Sequence, residues 1–195
     1  ALAQRVLKEP LTSFVSHHPG INLHVELSDR FVDLVGEGFD LAIRIGHLED
    51  SSLVARRLSD VPMVLVGAPI LLAEYGIPTT PDDLVDIPFI HYASERVIQR
   101  LKLQRGHEEP VQVITQAKLS TNNDQMMVSF ARAGQGLILL PQFMVETELE
   151  DGRLREVLPE YRLFPERKLY AVFPHGRHLP LKTRALIDFL VDELA

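Results

Sequence analysis

The 195-residue chain contains no cysteine. That removes disulfides, thiolate nucleophiles and thiolate metal ligands together, and it fits a reducing compartment such as the cytoplasm. Long apolar runs are missing as well. The longest, such as Leu137 to Leu140 and Val64 to Val66, fall far below the roughly 18 to 20 residues a membrane-spanning helix needs, so no membrane partner is expected. The opening "ALAQRVLKEPL" has neither the basic leader, the apolar middle nor the cleavage site of a secretory signal, features that a mature exported chain would lack too. Positive charge is in deficit. Against 27 Asp and Glu stand 20 Lys and Arg, a formal net charge of -7, so the mean field of the chain repels phosphate backbones. Its densest basic group, Arg153, Arg155, Arg162, Arg167 and Lys168, is interrupted by Glu156, Glu160 and Glu166 and reads as a mixed, solvated face.

Motifs that would announce catalysis or cofactors are also absent. No G-x-S-x-G elbow occurs, no Walker loop occurs, and neither "GEGFD" nor "GQGLIL" completes G-x-G-x-x-G. Among the eight histidines, His175 and His178 lie three apart. They fall in "PHGRHLP", however, where Pro and Gly predict a turn and not the regular helix that would align two ligands. His17 and His18 suit the negative end of a helix, and "HEEP" at His107 lacks the second histidine of a zinc-protease helix. No metal, no cofactor and no enzymatic activity are expected, and no residue is assigned a catalytic role.

What is present is an alternation of helical and strand periods in an ordinary globular mixture, 46% hydrophobic and 24% charged. Leu2, Val6, Leu7, Leu11, Phe14 and Val15 form a helical stripe ending near His18, with Pro10 expected to kink it or open a new turn. Ile21, Leu23, Val25 and Leu27 alternate with polar residues as a strand does. A second helix is expected over about Phe31 to Glu37, with Ser28 or Asp29 as its cap and Gly38 as its stop. The next strand puts Leu41, Ile43 and Ile45 on one face and Asp40, Ala42 and Arg44 on the other. Helix, strand, helix, strand in this order argues for a mainly parallel sheet. "LVARRLSD" and "VPMVLVGA" read as strands joined at Pro62. "PILLAEYG" reads as a helix closed by Gly76, and "TTPDDL" as a capped helix start. Phe89 to Tyr92 form a short strand. Val97 to Leu103 and Val111 to Leu119 pair as a hairpin, the first half being compatible with a helix too. Ser120 to Asp124 cap a helix whose Met127, Phe130 and Ala131 face inward and which Gly134 and Gly136 end. "LILLP" is a buried strand, Pro141 opens a helix stopped by Gly152, and "KLYAVFPHG" is a late strand. An amphipathic final helix carries Leu181, Leu186, Phe189, Leu190 and Leu194.

No repeat or low-complexity tract appears, which leaves two α/β units. Polar groups gather at the predicted strand ends: Ser28, Arg44 to His47, Tyr92 to Ser94 and Ser120 to Asn123. Each has a structural explanation. Ser28 and Asn122 can cap helices, and Arg44 can pair with a carboxylate such as Asp40 or with one on a ligand. Together, in a parallel sheet, they would line one crevice of the kind in which α/β folds bind ligands.

"HHPGINLHVELSDRFVDLVGEGFDLAIRIGHLEDSSLVARRL", followed in order by "AGQGLILLP", "GRLREVLPEY" and "LYAVFPHGRHLPLKTRALIDFLVDEL", resembles the effector-binding region of LysR-type transcriptional regulators. The likeness spans nearly the whole chain and is weakest from Glu95 to Pro110. It implies an α/β fold of two Rossmann-like subdomains joined by two crossing strands, like type 2 periplasmic binding proteins. Subdomain I would take residues 1–63 and 168–195, and subdomain II residues 64–167. A small-molecule effector, an organic anion among the classes admitted, is expected in the interdomain cleft. The family further implies a homodimer or homotetramer, RNA polymerase as a partner of the full-length regulator, and DNA bound only through an N-terminal winged helix-turn-helix that does not fall within this chain. It also carries a strand before the first helix, expected ahead of residue 1. Carried over by position, the ligand-binding candidates are Ser28, Arg44, Ile45, Gly46 and His47 on one side, Tyr92, Ser94, Asn122 and Asn123 on the other, and Pro174 with His175 near the crossing strands. A solute-binding protein of a transport system would share this fold and is the alternative reading.

Overall fold

The computed structural model describes residues 2–28, 32–46, 53–92, 98–175 and 179–194. The chain divides into two compact units, one made of Pro62–Glu166 and the other of Leu2–Val61 with Arg167–Ala195. It therefore passes between them at two places, Val61/Pro62 and Glu166/Arg167. In chain order, a stretch of π-helix (Ala3–Leu7) leads into α1 (Lys8–His17), followed by β1 (Ala42–Gly46), β2 (Leu53–Val61), β3 (Met63–Gly67) and α2 (Pro69–Tyr75). Next come a 3-10 turn (Pro81–Leu84), β4 (Phe89–Tyr92), β5 (Ile98–Arg105), β6 (Val111–Thr121) and α3 (Asp124–Arg132). The remainder is β7 (Ile138–Pro141), a second 3-10 turn (Gln142–Met144), α4 (Glu146–Glu150), β8 (Arg155–Glu156), β9 (Tyr161–Leu163), β10 (Arg167–Pro174) and α5 (Leu181–Leu194).

The discontinuous unit is built on a sheet ordered β1-β10-β2, antiparallel at both joins. Placing the returning β10 between β1 and β2 makes this sheet antiparallel, where the helix-strand alternation predicted parallel pairing. Leu58, Leu169 and Ala171 from the strands are buried, as are Leu186, Ile187 and Leu190 of α5. Phe14 of α1 is fully enclosed. Its ring stacks on His18 with centroids 4.3 Å apart and meets Phe189 of α5 edge-on at 5.4 Å; burying such a ring stabilises by about 1.5–3 kcal/mol. Pro10 has no N–H for the helical ladder, and the backbone just ahead of it adopts the wider π spacing. Leu181, expected on the inward stripe of the last helix, is 82% exposed because it is the first residue of α5.

Two expected elements in this unit do not form. Residues 21–28 carry no strand. The alternating pattern is present, but a strand also needs a neighbour to take its N–H and C=O groups, and no strand among the described residues pairs with this segment. Of the expected helix over about 31–37, residues 34–38 form a turn; Phe31 and the expected cap Asp29 lie outside the described residues. The turn is held by Asp33, whose side chain accepts from the Gly36 N–H at 3.1 Å and whose C=O accepts from Glu37 at 2.9 Å. A segment this short, with glycines at 36 and 38, cannot repay helix nucleation, and Gly38 at φ 77° turns the chain away.

The continuous unit holds two sheets, β7-β3-β8 and β4-β6-β5-β9. Its β4–β6 join is parallel, while β5–β6 is the expected antiparallel hairpin. One core packs Leu71, Leu84, Phe89, Leu103 and Leu137; the other packs Val66, Ile90, Met127, Ala131 and Ile138. Phe89 and Ile90, adjacent on β4, thus serve opposite faces. Gly136 lets the chain pass hard against β4: a Cβ there would lie 2.8 Å from the Pro88 carbonyl oxygen. The Leu137 N–H donates to that same oxygen at 2.8 Å, and Ile90 N–H donates to Leu137 O at 2.9 Å. The start of the first 3-10 turn is fixed by Asp83, whose carboxylate accepts from the backbone N–H groups of Thr79 and Thr80, both at 2.9 Å. Those bonds, with the Thr79 hydroxyl, hold its pKa below the ordinary carboxylate value.

Candidate functional site

In the continuous unit, parallel pairing aligns the carboxyl ends of β4 and β6, setting Tyr92 beside Thr121. The chain leaves β6 through Asn122 and enters α3. Asn123 is the N-cap: its Oδ1 accepts from Met126 N–H at 3.0 Å, and its own N–H donates to Thr121 Oγ1 at 3.1 Å. Asp124 lies in the first turn, its Oδ1 accepting from Gln125 N–H at 2.8 Å. Tyr92, Asn122 and Asn123 are exposed. A phenol, a hydroxyl, two amides and the positive end of a helix dipole therefore meet at one corner, a set of donors and acceptors suited to a small polar or anionic group. Below it, His91 is buried with Nε2 3.1 Å from the buried Thr115 hydroxyl, a bond that ties the end of β4 into the core side of β6.

In the discontinuous unit, Arg44 sits mid-strand on β1 and its Nη2 donates to the Val32 carbonyl at 2.8 Å. Asp40, the expected carboxylate partner of Arg44, is instead held by Lys182 of α5 at 2.9 Å. Ile45 and Gly46 face Leu169 and Lys168 of β10. This end of the sheet is polar: Asp60 bonds Arg57 at 2.6 Å and lies 3.9 Å from Lys168. Pro174 pairs with Leu53 at the opposite end of β10. Six residues separate Lys168 from Pro174, about 20 Å at the rise of a strand. Pro174 ends β10, the strand that starts at the Glu166/Arg167 crossing, and the exposed His175 follows it, so both lie at the far end of that strand from Gly46. Ser28 is exposed in the segment without a strand. His47 and Ser94 lie outside the described residues.

The structure therefore gathers Tyr92, Asn122 and Asn123 in one unit and Arg44, Ile45 and Gly46 in the other, and it separates Pro174 and His175 from the latter group. Thr121, which falls in the polar cluster Ser120 to Asn123 but is not among the ligand-binding candidates read from the sequence, joins this corner through its pairing with Tyr92. Among the described residues no group of three or more His, Asp or Glu is placed to hold a metal, and no helix is long and apolar enough to cross a membrane.

Comparison with known proteins agrees with this architecture. The family model described as "LysR substrate binding domain" matches residues 1–195. The transcriptional activator AaeR of Escherichia coli is 34% identical over 98% of this chain and 61% of its own length. The regulator PtxR of Pseudomonas aeruginosa is 34% identical over 93% of this chain and 58% of its own. Among solved structures, full-length AphB, a virulence activator of Vibrio cholerae, superposes with a TM-score of 0.78 at 26% identity, covering 100% of this chain and 65% of that one. The regulatory domain of Vibrio vulnificus AphB gives 0.75 at 27% identity, covering 98% and 93%. The fold is the two-subdomain, periplasmic-binding-protein-like α/β architecture of such regulatory domains. The chain belongs to the LysR substrate-binding domain family, the effector-binding part of LysR-type transcriptional regulators. It spans about three fifths of the length of the curated relatives it matches. Those relatives are named as regulators of transcription and not as transport proteins, which favours regulation over the solute-binding alternative.

Proposed function

We propose that the chain senses a small organic molecule, an organic anion being the favoured class, and that its binding biases the transcriptional activity of a larger regulator. The observation that carries this reading is the corner formed by Tyr92, Thr121, Asn122 and Asn123 at the aligned ends of β4 and β6, where the helix terminus favours negative charge. Arg44, Ile45 and Gly46 are the candidate contacts of the discontinuous unit, with Ser28 and, outside the described residues, His47; Ser94, likewise outside them, belongs with Tyr92 in the continuous unit. The two units correspond to regulatory subdomains I and II. A ligand can shift such a protein only through unequal affinity for its arrangements, so binding without turnover suffices. The reading extends to a cytoplasmic homodimer or homotetramer whose full-length form reaches DNA through a separate winged helix-turn-helix and communicates with RNA polymerase.

Thermal unfolding against a panel of carboxylic acids, aromatic acids, amino acids and neutral aromatics tests the proposal. A ligand at a hundred times its dissociation constant adds about 2.7 kcal/mol to stability. A saturable rise confined to one class of acid, and reduced by Tyr92→Ala, is expected. No rise with any compound, or chemical conversion of a compound by the chain, would contradict it.

A further inference from the structure

The outer face of the β6-β5-β9 sheet has a composition unlike the rest of this acidic chain. Residues on β5 alternate strictly: Leu101 and Leu103 are buried, while Ile98, Arg100 and Lys102 are exposed. Their cross-strand partners on β6 are Gln116, Ile114 and Gln112, all exposed. On the other side of β5, Arg162 of β9 pairs with Gln104, and Phe164 continues the ladder by donating its N–H to the Lys102 carbonyl at 2.8 Å. Three cations therefore stand among three solvent-facing apolar side chains, Ile98 at 54%, Ile114 at 50% and Phe164 at 41% exposure. No Asp or Glu occupies this face at residues 98–104, 112–116 or 161–164. Of the acids in the adjoining turns, Glu108 and Glu160 lie against Arg105, and Glu109 lies in the β5–β6 turn, outside the paired residues. Among the described residues, Arg100, Lys102 and Arg162 enter no ion pair.

We propose that this sheet face is a docking surface for an acidic segment of another protein that carries apolar residues between its carboxylates. The pattern of charge selects the sign of the partner, and exposed Ile and Phe beside the cations select its kind. A phosphodiester backbone offers nothing to three apolar side chains. A second copy placed by two-fold symmetry would set the cations of this face against the same cations, which repels. An acidic protein segment with Leu, Ile or Phe at alternate positions satisfies both components at once, and Gln112, Gln116 and Gln104 supply hydrogen bonds around them.

The test is titration of the isotopically labelled full chain, followed amide by amide in NMR spectra, with three probes. These are a short synthetic peptide of alternating Glu and Leu, a peptide of alternating Glu and Ser with the same charge, and duplex DNA. The Glu-Leu peptide is expected to shift the amides of Ile98, Arg100, Lys102, Ile114 and Arg162, more tightly than the other two probes and less tightly as salt rises. The double variant Arg100→Glu with Lys102→Glu is expected to weaken it by roughly tenfold or more, and Ile114→Ser to weaken it with the charge unchanged. Both alter exposed side chains, so their spectra report folding in the same experiment. Four results would overturn the proposal: shifts lying off this face, equal binding of the Glu-Ser peptide, tighter binding of DNA at the same amides, or shifts of these amides with chain concentration alone.

Discussion

Within the continuous unit every named strand has its hydrogen-bonding neighbour in the same unit; in the discontinuous unit an equally regular alternation, Ile21 to Leu27, has none among the described residues and forms no strand. Both segments have the period of a half-buried strand. The difference shows that periodicity states which face a strand would bury, whereas the ladder partner decides whether a strand exists. The contrast extends to the sites. In the continuous unit the parallel β4–β6 pair brings Tyr92 and Asn123 to one corner, while in the discontinuous unit antiparallel β10 carries Pro174 and His175 away from Gly46.

Damage to one unit should leave the other largely intact. Phe14→Ala empties the space between α1 and α5 and is expected to cost about 3–5 kcal/mol in urea unfolding. Hydrogen-exchange protection should fall first in α1, α5 and β10; equal loss throughout β3 to β9 would show that the two units do not respond separately. Gly136→Ala probes the other side. Its methyl group meets the Pro88 carbonyl and the backbone of Phe89, so a cost of about 1–3 kcal/mol is expected, with the amides of Ile90 and Leu137 losing protection most.

A smaller effect comes from Asp83. Because its folded pKa lies below the ordinary 3.8, the stabilisation from its bonds to Thr79 and Thr80 is fully present above that ordinary value. It disappears as pH falls through the lower folded value. The stability difference between the chain and Asp83→Asn should accordingly be constant from neutrality down to about pH 4 and shrink below it. A difference that grows on acidification would contradict the assignment.

Local chemistry made much of the fold legible. Pro69 and Gly76 bracket α2, the run Ser120 to Asp124 caps α3, though through Asn123 and not the expected Asn122, and Val111 to Leu119 reads at strand period because Val113 and Thr115 are buried while Ile114 and Gln116 are not. Pairing direction was not legible, since it depends on β10, more than a hundred residues downstream of β1, inserting between β1 and β2. The same long-range step decided the sites. Tyr92 and the cluster Ser120 to Asn123 could be read as sharing an end, but only the register shows that Thr121 is the residue beside Tyr92. Asp40 found Lys182 across the fold instead of Arg44 nearby. The cationic sheet face was invisible for a related reason. Arg100 and Lys102 lie far in sequence from Arg162, and only the β5–β9 pairing makes them neighbours.

We propose that the aligned ends of β4 and β6 receive the effector. The most direct test is the NMR spectrum of the chain with the acid that raises its melting temperature most in the panel. The largest amide shifts are expected at Tyr92 and at Thr121 to Gln125, and Asn123→Ala is expected to diminish both the shifts and the rise in melting temperature. Saturable shifts that leave these amides unmoved and centre on Pro174 and His175, or on any other end of a sheet, would contradict it.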